Sequence, residues 1–214
     1  MTHEHTTETH DFFSQAFWDE RYGSEQVWSG EPNPHLVTYA SDLRPGTALD
    51  LGCGEGADVI WLAQRGWQVT GLDVSPVALD GAARRAVHVG VDALTTWQQA
   101  DAFAWSADAA YDLVSAQFMH FPRATLTALH RELAASVAPG GTLLIVGHHP
   151  HDVRHSPEGE VFEDIRFTAE EAAASLDPAD WQTIDPLTSE RAWTDRDGHP
   201  AIAVDAVLRA VRQP

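Results

Sequence analysis

The chain has 214 residues, enough for one large domain, and its apolar fraction of 43% marks a globular fold rather than a disordered or fibrous one. Its formal net charge is −19 and every basic residue is arginine, a balance that opposes nucleic acid and anionic membrane surfaces and favours a small or cationic partner. No run of about 18 apolar residues suggests a membrane span. The lone Cys53 excludes an internal disulfide, and the polar opening Met1–His10 lacks a leader's basic start and apolar stretch, so a cytosolic location is expected.

Residues 1–10 read as a flexible tail, and 11–214 as a single domain. Its first part, 11–42, is helical in pieces and aromatic, with Phe17, Trp18, Tyr22 and Trp28 before Pro32 and Pro34 break it. This segment is expected to pack over a core at 43–214. Strand and helix then alternate. A first strand at Ala48–Leu51 feeds a helix that runs to Arg65, with Gly66 as its stop. A second strand at Gln68–Leu72 ends in Asp73, and Ser75-Pro76 opens a helix to about His88 with a cap followed by proline at the first helical position. A third strand covers about Leu94–Gln98 and leads to Asp101-Ala102; a fourth covers Tyr111–Ser115. Leu126, Leu129, Leu133 and Val137 share one face at helical spacing. Pro139-Gly140-Gly141 turns the chain into a fifth strand, Thr142–Val146, an apolar run suited to a buried parallel position. A short helix near Thr168–Ser175 and strands at Trp181–Leu187 and Ala201–Arg209 complete the chain. The expectation is an α/β fold: an open, mostly parallel sheet with helices on both faces, preceded by a helical lid.

The stretch Leu49-Asp50-Leu51-Gly52-Cys53-Gly54-Glu55-Gly56 carries the most information. A strand that runs into a glycine turn and a helix is how such a sheet holds a nucleotide-like ligand. Gly52-x-Gly54-x-x-Ala57 fits the loose dinucleotide pattern, with Asp73 as the acid about 20 residues on. Asp50 and Glu55 argue against a pyrophosphate, because carboxylates repel phosphates. They suit a cationic group better.

In these residues the chain resembles the class I S-adenosylmethionine-dependent methyltransferases. Leu49–Gly56 looks like their first motif, Asp73 their ribose-binding acid, Asp101 their adenine-contacting acid, Asp112-Leu113-Val114-Ser115 their fourth strand, and Pro139–Leu143 the turn before the fifth. The resemblance implies a Rossmann-like seven-stranded sheet whose last strand is antiparallel. It also implies S-adenosyl-L-methionine as cofactor and S-adenosyl-L-homocysteine as product. It puts Gly52, Cys53, Gly54 and Gly56 against the methionine part and Asp50 near the charged amino group. Asp73 would hold the ribose, with Val74, Asp101 and Ala102 at the adenine and Gln117 and Phe118 beside the sulfonium. Trp18, Tyr22 and Trp28 look like the lid of small-molecule members, loosely similar to the tellurite-resistance and thiol methyltransferase branch; aromatic faces suit a sulfonium.

In an open sheet the ligand crevice lies at the carboxyl ends of the strands. His120 follows the fourth strand and His148 and His149 the fifth, so these three are the candidate bases or acceptor-orienting groups. His148, His149, His151 and His155 cluster in sequence, but no carboxylate or thiolate partner is evident, and no metal is expected. The partner is expected to be a small molecule, without nucleic acid or membrane, for a monomer or homodimer. The rival readings are a nicotinamide-dependent oxidoreductase and a non-catalytic cofactor-binding regulator. A nucleic-acid methyltransferase is disfavoured by charge and by Gln117-Phe118-Met119-His120 in place of an Asn/Asp-Pro-Pro-aromatic motif.

Overall fold

A computed structural model describes residues 13–24, 27–107, 109–152, 165–194 and 199–214. The tail at 1–10 and His155 lie outside the described residues. The chain divides into two compact units, Met1–Trp105 and Ser106–Pro214.

In the first unit, helices α1 (Gln15–Ser24) and α2 (Pro34–Ala40) precede strand β1 (Thr47–Leu51), helix α3 (Ala57–Ala63), β2 (Gln68–Asp73), α4 (Pro76–Val89) and β3 (Thr95–Gln99). The strands pair in parallel, with Asp50 opposite Gly71 and Gly71 opposite Trp97. Local signals set the helix ends. Asn33 and Ser75 cap α2 and α4 through their side chains, each with proline at the first helical position, and Gly90 ends α4 in the left-handed conformation. Helix α3 stops at Ala63, two residues before Arg65, because Arg65 and Gly66 donate to the carbonyls of Leu62 and Ala63 and tighten the last turn. Leu49, Leu51, Val59, Leu62, Trp67 and Leu72 are buried together as its core.

In the second unit, β4 (Tyr111–Gln117), α5 (Arg123–Ala135), β5 (Val137–His148), α6 (Ala169–Ala173), β6 (Trp181–Thr194) and β7 (Pro200–Arg212) follow. β4 and β5 are parallel, and β7 runs antiparallel between β5 and β6. The strand order of the seven-stranded sheet is β3-β2-β1-β4-β5-β7-β6, so the last strand is the antiparallel one, as the resemblance implied.

Two strands extend well past their expected bounds. β5 begins at Val137, not Thr142. Tyr111 pairs with Val137 and Leu113 with Thr142, so the Pro139-Gly140-Gly141 turn is absorbed as an irregularity within one strand. Val137 therefore belongs to the sheet rather than to the helical face of Leu126, Leu129 and Leu133. β6 reaches Thr194, well beyond Leu187, because its polar second half stays paired with β7, Glu190 facing Val204 and Arg191 facing Ala203.

Candidate functional site

The first unit builds its site around Asp73 at the end of β2. One carboxylate oxygen accepts from the Gly54 N–H at 2.8 Å and the other from the Ser75 N–H at 2.9 Å. The acid thus joins the glycine loop to the start of α4. Burial pushes its pKa up, against the backbone hydrogen bonds from Ser75, Gly54 and Val74. Asp50 is buried behind the loop. Burial, then the charges of Asp50 and Asp73, raise the Cys53 thiol well above its ordinary value, so it is neutral packing and no nucleophile.

The loop glycines serve different neighbours. Gly52, Gly54 and Gly56 all have positive φ. A Cβ at Gly56 would fall 2.5 Å from the Trp97 ring and 2.8 Å from Ala82, and one at Gly54 would fall 2.9 Å from the Tyr22 hydroxyl. The absent side chain of Gly56 leaves room for protein, not for a ligand. That packing reason was invisible in the motif.

The lid lies over this loop. Trp18 stacks on Tyr22 with centroids 5.7 Å apart, and the Tyr22 hydroxyl accepts from the Trp28 indole at 3.1 Å. Burial and the nearby Asp73 charge raise the Tyr22 pKa, so its phenol is neutral. Three carboxylates fasten the segment. Asp19 accepts from the Ser75 hydroxyl at 2.6 Å, Glu55 from the Trp28 N–H at 2.9 Å, and Asp58 from the Asn33 N–H at 2.6 Å. Sequence reasoning used Glu55 only as a phosphate-repelling group and missed Asp19 and Asp58. Their partners are backbone amides and a cap hydroxyl far away in sequence, which leave no local pattern.

Past β3, Asp101 is exposed and accepts from the Phe103 N–H at 2.9 Å. Ala102 lies in the same turn, and the Val74 carbonyl accepts from the Gln99 side chain at 3.2 Å. Phe103 is half exposed beside Phe13, an aromatic edge next to Asp101 that no motif flagged.

The second unit gathers Phe118, His120 and His148. Phe118 holds a φ of 54°, unusual for a side-chain-bearing residue, and its ring lies 4.7 Å from that of His148. His120 stacks on His148 at 4.8 Å. Gln117 precedes them, with its amide donating to the Ser115 hydroxyl at 3.1 Å. His149 stands apart: it is buried, its Nδ1 accepts from the His151 N–H at 3.0 Å, and its own N–H donates to Val204. His120 and His148 are both half-buried, the His148 side chain 30% exposed. The His148 Nδ1 sits 3.4 Å from Asp152 and 3.7 Å from Asp205. Asp205 is completely buried and paired at 2.5 Å with Arg191. These are the carboxylates that sequence reading did not find beside the histidines.

Residues 48–141 match a methyltransferase domain family. The ribosomal RNA small subunit methyltransferase C of Alcanivorax borkumensis is 31% identical over 49% of this chain and 33% of its own length, so the chain spans about a third of that relative. A thiopurine S-methyltransferase of Legionella pneumophila is 26% identical over 74% of this chain and 82% of its own. A structure solved in work on conversion of a disulfide bond into a thioacetal group during echinomycin biosynthesis shares the fold, with a TM-score of 0.71 and 23% identity over 95% of this chain and 91% of that one. No helix among the described residues is long and apolar enough to cross a membrane. The domain match over residues 48–141, the order of motifs from β1 to β5 and the seven-stranded fold support a class I S-adenosylmethionine-dependent methyltransferase.

Proposed function

We propose that the chain transfers a methyl group from S-adenosylmethionine to a small-molecule acceptor by in-line displacement. The observation that carries this reading is the bond from the Gly54 amide to Asp73, which ties the glycine loop to the acid at the end of β2. In this reading Asp73 holds the ribose, Val74, Asp101 and Ala102 meet the adenine, and Gly52, Cys53 and Gly54 face the methionine part with Asp50 near its amino group. Gly56 supports the loop through Trp97. Trp18, Tyr22 and Trp28 cover the cofactor and exclude water. Gln117 and Phe118 are assigned to the sulfonium end and His120 and His148 to the acceptor, and His149 holds the turn that follows β5.

The methyl carbon is already activated by positive sulfur, so the protein's main task is alignment. A soft acceptor such as a thiolate needs no base. The similarity to thiopurine S-methyltransferases over most of both chains favours a thiol or other soft atom over a hydroxyl or amine. The ribosomal RNA relative is matched over half of this chain, and the charge of −19 opposes an RNA acceptor. A monomer or homodimer in the cytosol completes the reading.

The test is calorimetric titration with S-adenosylhomocysteine and with NAD(H), followed by a coupled assay for S-adenosylhomocysteine release over thiols, phenols, amines and halide or metalloid ions. Tight S-adenosylhomocysteine binding with turnover on one acceptor class is expected. NAD(H) binding without it would point to the oxidoreductase, and binding without turnover on any acceptor to the regulator.

A further inference from the structure

We propose that Arg191 selects the methyl acceptor by binding a carboxylate on it. The inference rests on the methyl-transfer reading, which assigns His120 and His148 to the acceptor, and adds the chemical class of that molecule. Topology puts Arg191 at the right end of the sheet. The last pair between β5 and β7 is His148 with Asp205, whereas β6 and β7 stay paired as far as Thr194 and Pro200. The second half of the β6–β7 hairpin therefore runs past the carboxyl end of β5, the end at which open α/β sheets bind ligands. Arg191 lies on this arm, opposite Ala203.

Its side chain is fixed from two sides and only partly used. Nε donates to the buried Asp205 carboxylate at 2.5 Å, and the guanidinium carbon stands 5.8 Å from the centre of the Phe118 ring. The two η nitrogens donate to no group among the described residues, and the side chain is 29% exposed. Other arginines of this hairpin spend an η nitrogen within the fold: Arg209 on Asp185, Arg212 on the Val137 carbonyl. The η edge of a guanidinium takes a carboxylate in a planar, two-bond fit, and a fork already held at Nε loses little further freedom on binding. A single arginine edge matches the one charge of a carboxylate, whereas a phosphate brings more charge than it offsets. The Phe118 ring lies 4.7 Å from His148, which stacks on His120, so a carboxylate on Arg191 and a nucleophile beside His148 fall within the span of one small molecule. In a chain of net charge −19 an anion is repelled at a distance. A carboxylate is accepted only where a cation is held at the site itself.

The test uses the full chain and matched acceptors that differ in charge: 3-mercaptopropionate, 4-hydroxybenzoate and 4-aminobenzoate, each against its methyl ester. S-adenosylhomocysteine release gives kcat/KM, and calorimetric titration in the presence of saturating S-adenosylhomocysteine gives affinity without turnover. The acid of at least one pair should be preferred at least about tenfold. Arg191→Gln should bring that ratio close to one, chiefly through KM. Because this change strips buried Asp205 of its arginine, Arg191→Gln/Asp205→Asn is measured beside it and should show the same loss. Arg209→Gln, which breaks another ion pair of the hairpin, should keep the preference. A purely structural role for Arg191 would lower acid and ester alike and leave the ratio standing. Equal handling of acid and ester by the parent chain in both measurements, or a preference that survives in the double variant, would overturn the proposal. S-adenosylhomocysteine affinity on the same samples separates that failure from failure of the methyl-transfer reading.

Discussion

Gly56 shows how one residue type can carry two messages. In the sequence it is the last glycine of a ligand-binding pattern. In the structure its φ is +76° and a Cβ there would strike Trp97 and Ala82. Gly56→Ala should therefore cost about 2–4 kcal/mol, combining the left-handed penalty with overpacking, read as a lower urea midpoint. Asp73→Ala differs in kind. It removes the acceptor for the Gly54 and Ser75 amides, and S-adenosylhomocysteine binding should fall below detection while the chain stays folded at room temperature. Normal affinity in that variant would overturn the assignment of the cofactor site. Asp50, Asp73 and Asp101 stand out in the sequence as candidates because they sit at fixed steps from strand ends. Their partners do not: nothing local to Asp73 announces that both its oxygens are already engaged by backbone.

Two helices carry titratable groups with opposite signs, half-buried Asp58 and buried His130. Asp58, in the first turn of α3, is held at a pKa of about 6 by burial, against the hydrogen bond from Asn33. Its ordinary value is 3.8, so the folded state binds the extra proton between those limits and stability falls as pH rises through them. Asp58→Asn keeps an acceptor for Asn33 and should gain stability over the parent at pH 7 but not at pH 4. His130, on the buried face of α5 against Phe167, is pushed down to about 4 by burial. Here the unfolded chain binds the extra proton, so stability is lost as pH falls from about 6.5 towards 4. His130→Leu should gain over the parent at pH 4 and lose that advantage by pH 7, in urea titrations at both values. Element types were well marked in the sequence by Ser75-Pro76 and the apolar run at Thr142–Val146, whereas Pro34, read as a breaker, opens α2 behind the Asn33 cap. Boundaries failed where tertiary pairing extends an element, as in the second half of β6, which has no apolar alternation of its own.

At the scale of the whole molecule the charge of −19 acts on everything the chain meets. The open, mostly parallel α/β sheet was legible because strand and helix signals alternate, with Gly66 and Ser75-Pro76 as stop and start. The grouping of Phe118, just after β4, with His148 of β5 and Arg191 of β6 was not, because it depends on pairing between distant strands. Charge narrows the choice of acceptor. Self-repulsion among 32 acidic residues set against 13 arginines should make the fold more stable in moderate salt, with the melting temperature rising as screening increases. The same field should keep polyanions away. Filter binding with ribosomal RNA fragments and duplex DNA should show no retention at physiological ionic strength, despite the likeness to a ribosomal RNA methyltransferase over half of this chain. RNA binding that weakens linearly on a log–log plot against salt would mean that a local basic groove outweighs the global charge, and the acceptor would then have to be sought among nucleic acids rather than small molecules.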